Sequence, residues 1–232
     1  MAVGRADIKI YAIIVAAGSG SRFGAQLPKQ FCRMKGRPVV MTSIERVREA
    51  VPGVELRLVL SEAFIDQWAE WCREYGFASP VVVGGGSTRW ESVRNAIESI
   101  PVDADRRAIV MVHDAARPLL TPEVATGLIA ALEQGYDGAV PCVPVVDSIR
   151  RVFPDGRSEA VDRSEYRAVQ TPQAFRLEDL REAYLRPFEP AMTDDASVME
   201  AAGRSDIALV DGADCLMKIT RPGDLDIVER ML

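Results

Sequence analysis

The chain has 232 residues, of which 48% are hydrophobic and 27% charged, and these proportions exclude a largely disordered or fibrous protein. No apolar run approaches the roughly 18 residues of a membrane span, and the composition of residues 1–9 predicts a cytoplasmic protein. The net charge of −6 argues against nucleic-acid binding. Residues 1–60 nevertheless carry a net charge of +6. This local positive charge could bind a small polyanion such as a nucleotide phosphate, or it could belong to a solvated helix face around Arg46 and Arg48.

The first two thirds of the chain alternate between apolar runs and amphipathic segments. Ile10 to Ala17 is a nearly continuous apolar run ending at Gly18, which is typical of a strand buried on both faces of a parallel sheet. Pro38 can open a helix that Pro52-Gly53 ends. Similar patterns predict strands at 56–60, 81–83, 109–112 and 138–146 and helices at 64–75, 93–100 and 122–132. This succession predicts an α/β fold with a Rossmann-like, doubly wound, mostly parallel sheet.

The segment from about Asp147 to Ala168 interrupts the alternation. It is polar, contains the turn signal Pro154-Asp155-Gly156 and has short β-branched pieces on either side. We therefore expect a projecting β-arm at about 147–168, which must fold back as a lid or pack on a second subunit because it cannot bury itself. Helices near 177–185 and after Thr193, a strand at 207–210 and a last helix with Thr220 as N-cap complete a single predicted domain over residues 1–232.

Histidine and cysteine chemistry has little support. His113 is the one histidine of the sequence, and the four cysteines show no Cys-x-x-Cys spacing, which disfavours structural zinc, a disulfide framework and most histidine-dependent nucleophilic schemes. His113 would point away from its neighbour Asp114 on a strand, so we interpret it as structural.

The turn after the first strand is the clearest candidate for phosphate binding. Gly18 and Gly20 let backbone N–H groups face an anion, and Arg22 and Lys29 supply positive charge. Two common motifs are rejected, because Phe23 occupies the third glycine position of G-x-G-x-x-G and the P-loop spacing is absent. A plain tight turn is the alternative interpretation.

Several further blocks accompany this turn in a fixed order. The blocks are Ala16–Arg22 with Pro28-Lys29-Gln30, Gly85–Arg89 with Ser92-Val93, Val112–Pro118, Val161-Asp162-Arg163, Gln170-Thr171-Pro172-Gln173, Thr193–Ser197 and Lys218-Ile219-Thr220. Together they resemble the 2-C-methyl-D-erythritol 4-phosphate cytidylyltransferase family over roughly residues 12–232. The resemblance implies the nucleotide-diphospho-sugar transferase type of fold and a role in non-mevalonate isoprenoid biosynthesis.

In the implied reaction, the phosphate of 2-C-methyl-D-erythritol 4-phosphate attacks the α-phosphorus of CTP and releases pyrophosphate, giving 4-diphosphocytidyl-2-C-methyl-D-erythritol. A phosphate monoester is already anionic near neutral pH, so no general base is needed, which agrees with the scarcity of histidine. Catalysis would then consist of positioning two polyanions and placing cations around the reacting phosphorus. The resemblance assigns these cations to Arg22, Lys29 and Lys218.

The resemblance also implies the binding residues. For the nucleotide they are Ala16, Ala17, Gly18, Gly20, Gly85, Gly86, Ser92, Asp114 and Ala115, and for the acceptor they are Arg117, Ser148, Arg163 and Thr193. Asp114 would also hold the Mg²⁺ cofactor. Arg163 would reach across from a partner subunit, which implies a homodimer formed through the arm. Simpler interpretations are a turn-capping role for Asp114, a surface ion pair for Arg117 and a solvated Arg163.

Three positions depart from the family pattern, and three competing functions stay open. Leu216 stands where asparagine is common, Arg167 lies near a usual aromatic position, and Ser148 replaces threonine. The nearest competing function is transfer to ribitol 5-phosphate as the acceptor. A catalytically silent nucleotide-binding protein is the second, and a dinucleotide-dependent dehydrogenase, which the missing third glycine disfavours, is the third.

Overall fold

The computed structural model describes residues 8–18 and 27–232, so the predicted site residues Gly20 and Arg22 lie outside the described residues. The strands and helices, in chain order, are β1 (Ile10–Val15), β2 (Arg33–Met34), β3 (Arg37–Pro38), α1 (Val39–Ala50), β4 (Glu55–Leu60), α2 (Ile65–Tyr75), β5 (Val81–Gly84), α3 (Arg89–Glu98), β6 (Ile109–Asp114), α4 (Pro122–Glu133), β7 (Gly138–Pro144), β8 (Arg150–Val152), β9 (Ser158–Ala160), β10 (Arg167–Val169), β11 (Gln173–Arg176), α5 (Leu177–Ala183), α6 (Asp195–Ala201), β12 (Ile207–Asp211) and α7 (Pro222–Arg230). No helix in this described part of the chain is long and apolar enough to span a bilayer.

In the described part of the chain the central sheet has eight strands, seven of them in the order β10-β7-β11-β6-β1-β4-β5, and β12 pairs with β7. Strands β6, β1, β4 and β5 pair in parallel, and so do β7 and β12. Strand β11 is antiparallel to both β6 and β7, and β10 is antiparallel to β7. The predicted doubly wound α/β fold is confirmed as a mixed, partly parallel sheet. The four residues of β11 are too few for a periodic pattern, so the sequence reasoning missed this strand.

Helices cover both faces of the sheet, and the side chains of β1 point alternately to the two faces. Ala12 and Ile14 belong to the core packed under α1, α2 and α4, whereas Tyr11 and Ile13 belong to the core packed under α3, α5 and α6. All four side chains are buried. Burial on two sides explains why this strand reads as a continuous apolar run.

The carboxyl ends of the parallel strands form one edge, and backbone hydrogen bonds bring the following loops together there. The Ala16 N–H donates to the Val59 carbonyl at 2.9 Å, and the Ala115 N–H donates to the Val15 carbonyl at 3.1 Å. The Gly85 N–H donates in the same way at 2.7 Å to the last carbonyl of β4. Open α/β sheets bind ligands at this edge.

The predicted arm contains a two-stranded hairpin. Within the described residues, strands β8 and β9 pair only with each other, in antiparallel register from Arg150↔Ala160 to Val152↔Ser158, and all their residues are exposed. Residues 167–169, in contrast, form β10 at the edge of the central sheet. The last two residues of the segment predicted as an arm, at about 147–168, therefore belong to β10.

The start of α7 differs from the prediction that Thr220 is its N-cap. The N-cap is Arg221, and Pro222 occupies the first helical position, where its fixed φ suits the helix and no N–H is missed. The Asp224 carboxylate accepts hydrogen bonds from the Thr220 N–H at 2.7 Å, the Thr220 hydroxyl at 2.9 Å and the Arg221 N–H at 2.8 Å. The acid in the first turn therefore accepts from the backbone just before the helix, and the Thr220 hydroxyl donates to it instead of accepting from a helix N–H.

Candidate active site

A cleft of about 790 Å³ opens at the carboxyl edge of the sheet. The predicted site residues that line it are Ala16, Ala17, Gly18, Lys29, Gly86, Ser92, Asp114 and Lys218. Lys29 precedes the first helix and Lys218 precedes the last one, so the fold brings cations from opposite ends of the chain to one cleft. This convergence is what a polyanionic ligand requires.

Close backbone approach shapes one wall of the cleft. A Cβ at Gly85 would lie 2.4 Å from the Cβ of Ala17 and 3.3 Å from the Leu60 carbonyl, so only glycine fits between the two loops. The buried Ser92 hydroxyl accepts from the Gly86 N–H at 3.1 Å and donates to the Thr88 carbonyl at 2.9 Å. Ser92 thus fixes the turn that follows β5, besides lining the cleft.

Gln30 fixes the loop after β1. Its side-chain amide donates to the Ala16 carbonyl at 2.7 Å and to the Gly18 carbonyl at 2.9 Å, and the residue is buried. Gln30 belongs to the short 3₁₀ turn Lys29–Phe31. The neighbouring Lys29 is therefore tied to the loop after β1, although the sequence places them more than ten residues apart.

Asp114 ends β6 among three cationic side chains. Its carboxylate lies 2.7 Å from Lys218 Nζ, 3.8 Å from Arg89 Nε and 3.9 Å from Arg117 Nε. Burial acts to raise the pKa of Asp114, but the charges of Lys218, Arg89 and Arg117 outweigh burial and hold this pKa well below its usual range. Asp114 is therefore ionised at neutral pH.

Arg89 is a site residue that the sequence reasoning missed. It lines the cleft, and its guanidinium forms two hydrogen bonds of 3.0 and 2.6 Å with the fully buried carboxylate of Asp195. The Tyr184 hydroxyl donates to the same carboxylate at 2.7 Å. Burial lowers the pKa of Arg89, but Asp195 more than reverses this and raises it above its usual value. Both residues belong to the family-like blocks, Arg89 to Gly85–Arg89 and Asp195 to Thr193–Ser197. The sequence could not show that they pair, because they are more than 100 residues apart.

His113 faces away from the cleft into a hydrogen-bonded core. Its ring nitrogens lie 3.1 Å from the Thr171 hydroxyl and 2.9 Å from the Arg117 carbonyl. Complete burial lowers the pKa of His113 to about 4, so the imidazole is neutral at pH 7. This environment agrees with the structural interpretation of His113.

Arg117 and Ala115 do not line the cleft but contact residues that do. Ala115 is buried, and its N–H continues the pairing with β1. Arg117 donates to the Leu216 carbonyl at 2.9 Å and to the Val169 carbonyl at 3.4 Å, and burial lowers its pKa. These bonds hold the segment before Lys218, so direct substrate binding by Arg117 stays a prediction.

The remaining predicted acceptor residues lie outside the lining of this cleft. Ser148 and Arg163 are exposed on the segment that carries the hairpin, and Arg163 donates to the Val146 carbonyl. Thr193 is exposed and borders a smaller pocket of about 110 Å³ beside Arg89. Their role in acceptor binding stays a prediction.

Asp114 is the candidate ligand for a divalent cation in this cleft. Residues 8–18 and 27–232 contain no cluster of three or more histidine, cysteine, aspartate or glutamate side chains. Mg²⁺ commonly uses one or two carboxylates and completes its shell with phosphate oxygens and water. Asp114 is an ionised carboxylate on the cleft wall, so it fits a cation that a nucleotide would share.

The cleft combines an α/β sheet, two lysines from opposite ends of the chain and an aspartate at the carboxyl edge, an arrangement suited to a nucleotide-binding enzyme. A family model described as 2-C-methyl-D-erythritol 4-phosphate cytidylyltransferase matches residues 10–232. The chain belongs to this family.

Individual relatives agree with this assignment. The chain is 43% identical over 226 residues to the 2-C-methyl-D-erythritol 4-phosphate cytidylyltransferase of Porphyromonas gingivalis, covering 97% of this chain and 98% of that protein. It is 40% identical over 221 residues to that of Bacteroides thetaiotaomicron, covering 95% and 98%. The crystal structure of the Thermus thermophilus enzyme is similar with a TM-score of 0.72 at 30% identity, covering 97% and 98% of the two chains.

The predicted activity is therefore confirmed at the level of the family. The chain is a cytidylyltransferase that makes 4-diphosphocytidyl-2-C-methyl-D-erythritol in isoprenoid biosynthesis. The competing functions were transfer to ribitol 5-phosphate, a silent nucleotide-binding role and a dehydrogenase, and the family assignment favours none of them.

Proposed function

We propose that the cleft beside Asp114 performs the cytidylyl transfer, with Lys29 and Lys218 as the cations that bind CTP and stabilise the charge developing at its α-phosphorus. The observation that carries this proposal is the presence of both lysines on one cleft, with Lys218 Nζ 2.7 Å from the Asp114 carboxylate. When CTP enters, its phosphates would compete with Asp114 for Lys218. Arg22 is proposed as a third cation on sequence grounds.

The acceptor phosphate needs no protein base. A phosphate monoester has a second pKa of about 6, so it is largely dianionic at pH 7. His113, the single histidine, is buried and neutral behind the site. The protein's contribution is therefore orientation and positive charge, which suffices for an in-line displacement at phosphorus.

Asp114 is proposed to hold Mg²⁺ together with phosphate oxygens of CTP. The cation would neutralise charge on the phosphates while bound. The ionised state of Asp114 supports this assignment, because a protonated carboxyl would be a poor ligand.

The acceptor is proposed to lie between the cleft and the arm. Arg117, Ser148, Arg163 and Thr193 would bind 2-C-methyl-D-erythritol 4-phosphate, with Arg163 supplied by the partner subunit of a homodimer formed through the arm. The exposed hairpin β8–β9 supports this, since an isolated two-stranded hairpin gains stability only by packing on something else. A single domain over residues 1–232 and a cytoplasmic location stay predictions of the sequence.

Pyrophosphate release from CTP and 2-C-methyl-D-erythritol 4-phosphate tests the proposal. The Lys29→Met variant is expected to lose about 10²- to 10³-fold in kcat, as for removal of one preorganised donor to a developing anion. Lys35→Met, at an exposed position six residues later, is the matched control and should keep near-normal activity.

Near-normal turnover by Lys29→Met would remove Lys29 from the mechanism. Turnover of ribitol 5-phosphate in preference to the methylerythritol phosphate would reject the acceptor, and CTP binding without pyrophosphate release would indicate a silent protein.

A further inference from the structure

The block Gln170-Thr171-Pro172-Gln173 has no assigned role in the chemistry, yet its side chains contact three separate segments of the site. All of the block's polar side chains are buried, with 5% of Gln170, 6% of Thr171 and 0% of Gln173 exposed. The block therefore cannot bind substrate directly through exposed groups. Its side chains instead hold other segments of the protein in place.

Gln170 clamps the segment that carries Lys218. Its side-chain amide donates to the Ala213 carbonyl at 2.8 Å, and its amide oxygen accepts from the Ala213 N–H at 3.1 Å, which imitates one rung of a β-ladder. A Cβ at Gly212 would lie 2.4 Å from the Gln170 amide oxygen, so the glycine permits this approach. The clamp joins the segment at one end, and the bond from the Ile219 N–H to the Ala116 carbonyl, at 2.8 Å, holds it at the other.

Thr171 holds the end of β6. Its hydroxyl accepts from the Asp114 N–H at 3.0 Å and lies 3.1 Å from His113 Nδ1. Because a hydroxyl can accept and donate at once, Thr171 connects the Asp114 backbone to the neutral imidazole. The orientation of the Asp114 carboxylate in the cleft depends on this backbone position.

Gln173 holds the start of α6. Its amide donates to Asp194 Oδ2 at 2.7 Å and accepts from the Ala196 N–H at 2.9 Å. Asp194 is the N-cap of α6, and Asp195, the partner of Arg89, is the first residue of that helix. Thr193, a proposed acceptor residue, directly precedes the cap.

We propose that Gln170, Thr171 and Gln173 are positioning residues that assemble the site, with Gln170 acting through Lys218, Thr171 through Asp114 and Gln173 through the Thr193–Asp195 segment. The roles of Lys218 and Thr193 rest on the proposed function. The geometry assigns different partners to the two glutamines, so their loss has different kinetic consequences. Loss of the Gln170 hydrogen bonds loosens the segment that carries Lys218. Loss of the Gln173 hydrogen bonds loosens the segment Thr193–Asp195, which carries a proposed acceptor-binding residue.

The kinetic test uses Gln170→Met and Gln173→Met, which keep the length of the side chain and remove its hydrogen bonds. Gln170→Met should lower kcat about tenfold with little change in the KM for the acceptor, because misplacing a catalytic cation by a fraction of an ångström weakens the transition state. Gln173→Met should instead raise the acceptor KM. Gln134→Met, at an exposed position after α4, is the control for the chemical change.

Double variants identify the partner through which each glutamine acts. In a Lys218→Met background, Gln170→Met should cause less than about a twofold further loss, since residues that act as a unit are not additive. Gln173→Met should keep its full effect in that background. Full additivity of Gln170→Met with Lys218→Met would overturn the proposal.

Hydrogen exchange without substrate separates this proposal from the proposed function. Gln170→Met should accelerate exchange at residues 212–219 and leave 193–198 unchanged, and Gln173→Met should do the reverse. Unchanged exchange at both segments, or uniform acceleration over the chain, would overturn the positioning roles whatever the activity. Normal activity of Lys218→Met together with the expected exchange pattern would contradict only the proposed function of Lys218. Should Gln170→Met fail to fold, Gly212→Ala tests the same clamp, because its Cβ would lie 2.4 Å from the Gln170 amide oxygen and would push that side chain away from Ala213. It should give the same exchange pattern.

Discussion

Two neighbouring residues on β6, His113 and Asp114, show how burial and nearby charges change the pKa of ionisable groups in this protein. His113 is fully buried on one side of the strand, and its pKa falls to about 4 because the charged imidazole would lose its hydration. Asp114 is also buried, but the adjacent Lys218, Arg89 and Arg117 keep it ionised. Neither residue changes charge near neutral pH. The pH dependence of acceptor use around pH 6 should therefore follow the second ionisation of the acceptor phosphate.

The lowered pKa of His113 predicts a pH-dependent stability. Between pH 6.5 and about 4 the unfolded chain binds a proton that the folded chain does not, so the free energy of unfolding decreases as the pH falls through this window. At pH 4.5 this residue should cost about 2.5 kcal/mol relative to pH 7. Asp114 does not oppose this trend, because its lowered pKa confers stability that is fully present above its unfolded value of 3.8 and is lost only at lower pH.

Urea unfolding at pH 7 and pH 4.5 measures this effect, and His113→Gln should show a smaller difference between the two pH values. Since the sequence has one histidine, its C2 proton gives a single NMR resonance whose titration midpoint is expected near 4. A midpoint near 6.5 would contradict the prediction.

Among the elements, helices α3 and α6 are joined by an ion pair between their first residues, besides the apolar core that they share. Arg89 begins α3 and Asp195 begins α6, and the Asp195 side chain is completely inaccessible. With Tyr184 as a third partner, the carboxylate has its charge and hydrogen bonds satisfied. Removing the arginine would leave a buried, unpaired charge.

Arg89→Met is therefore expected to destabilise the protein by about 3 kcal/mol, at the lower end of the range for breaking a buried pair because the guanidinium is partly exposed. Arg94→Met, on the same helix, removes an exposed pair with Glu98 and should cost less than about 1 kcal/mol. Denaturant unfolding at pH 7 compares the two. Equal losses would show that the buried pair has no special contribution, and the double variant Arg89→Met with Asp195→Leu should be more stable than Arg89→Met alone.

For the whole molecule, the site depends on segments that are remote in the sequence and, under the proposed function, on two subunits. Lys29 and Lys218 meet in the cleft, whereas Arg163 lies on the exposed segment after the hairpin. If Arg163 serves the partner's cleft, each active site contains Lys29 from one subunit and Arg163 from the other.

Mixed dimers test this arrangement. Arg163→Ala should raise the KM for the acceptor far more than the KM for CTP, and Lys29→Met should be nearly inactive. Co-expressing the two variants in equal amounts should restore about a quarter of the wild-type activity at low acceptor concentration, because half of the dimers are mixed and each has one intact site. Activity equal to the mean of the two separate variants would place both residues in the same subunit's site.

Elements and site residues that depend on local sequence were predictable, whereas those that depend on distant contacts were not. The strand Ile10–Val15 and the helix Pro122–Glu133 were predictable, because apolar periodicity and Pro at a helix start are local properties. Lys29, Asp114 and Lys218 were recognisable because each lies in a short block of contiguous residues. The N-cap of α7 was misplaced by one residue, since the sequence does not show that the Thr220 hydroxyl donates to Asp224 instead of capping the helix.

The amino-acid sequence by itself determined the α/β class, the family and the lysines and aspartate of the cleft, because each of these depends on residues that are neighbours in the chain. Only the tertiary structure decided that β11 lies antiparallel between β6 and β7, that Arg89 pairs with Asp195 and that Gln170 clamps Ala213. The physical reason is that each of these contacts joins residues far apart in the sequence. Their free energy is gained only when the packed sheet brings both partners together and excludes water from between them.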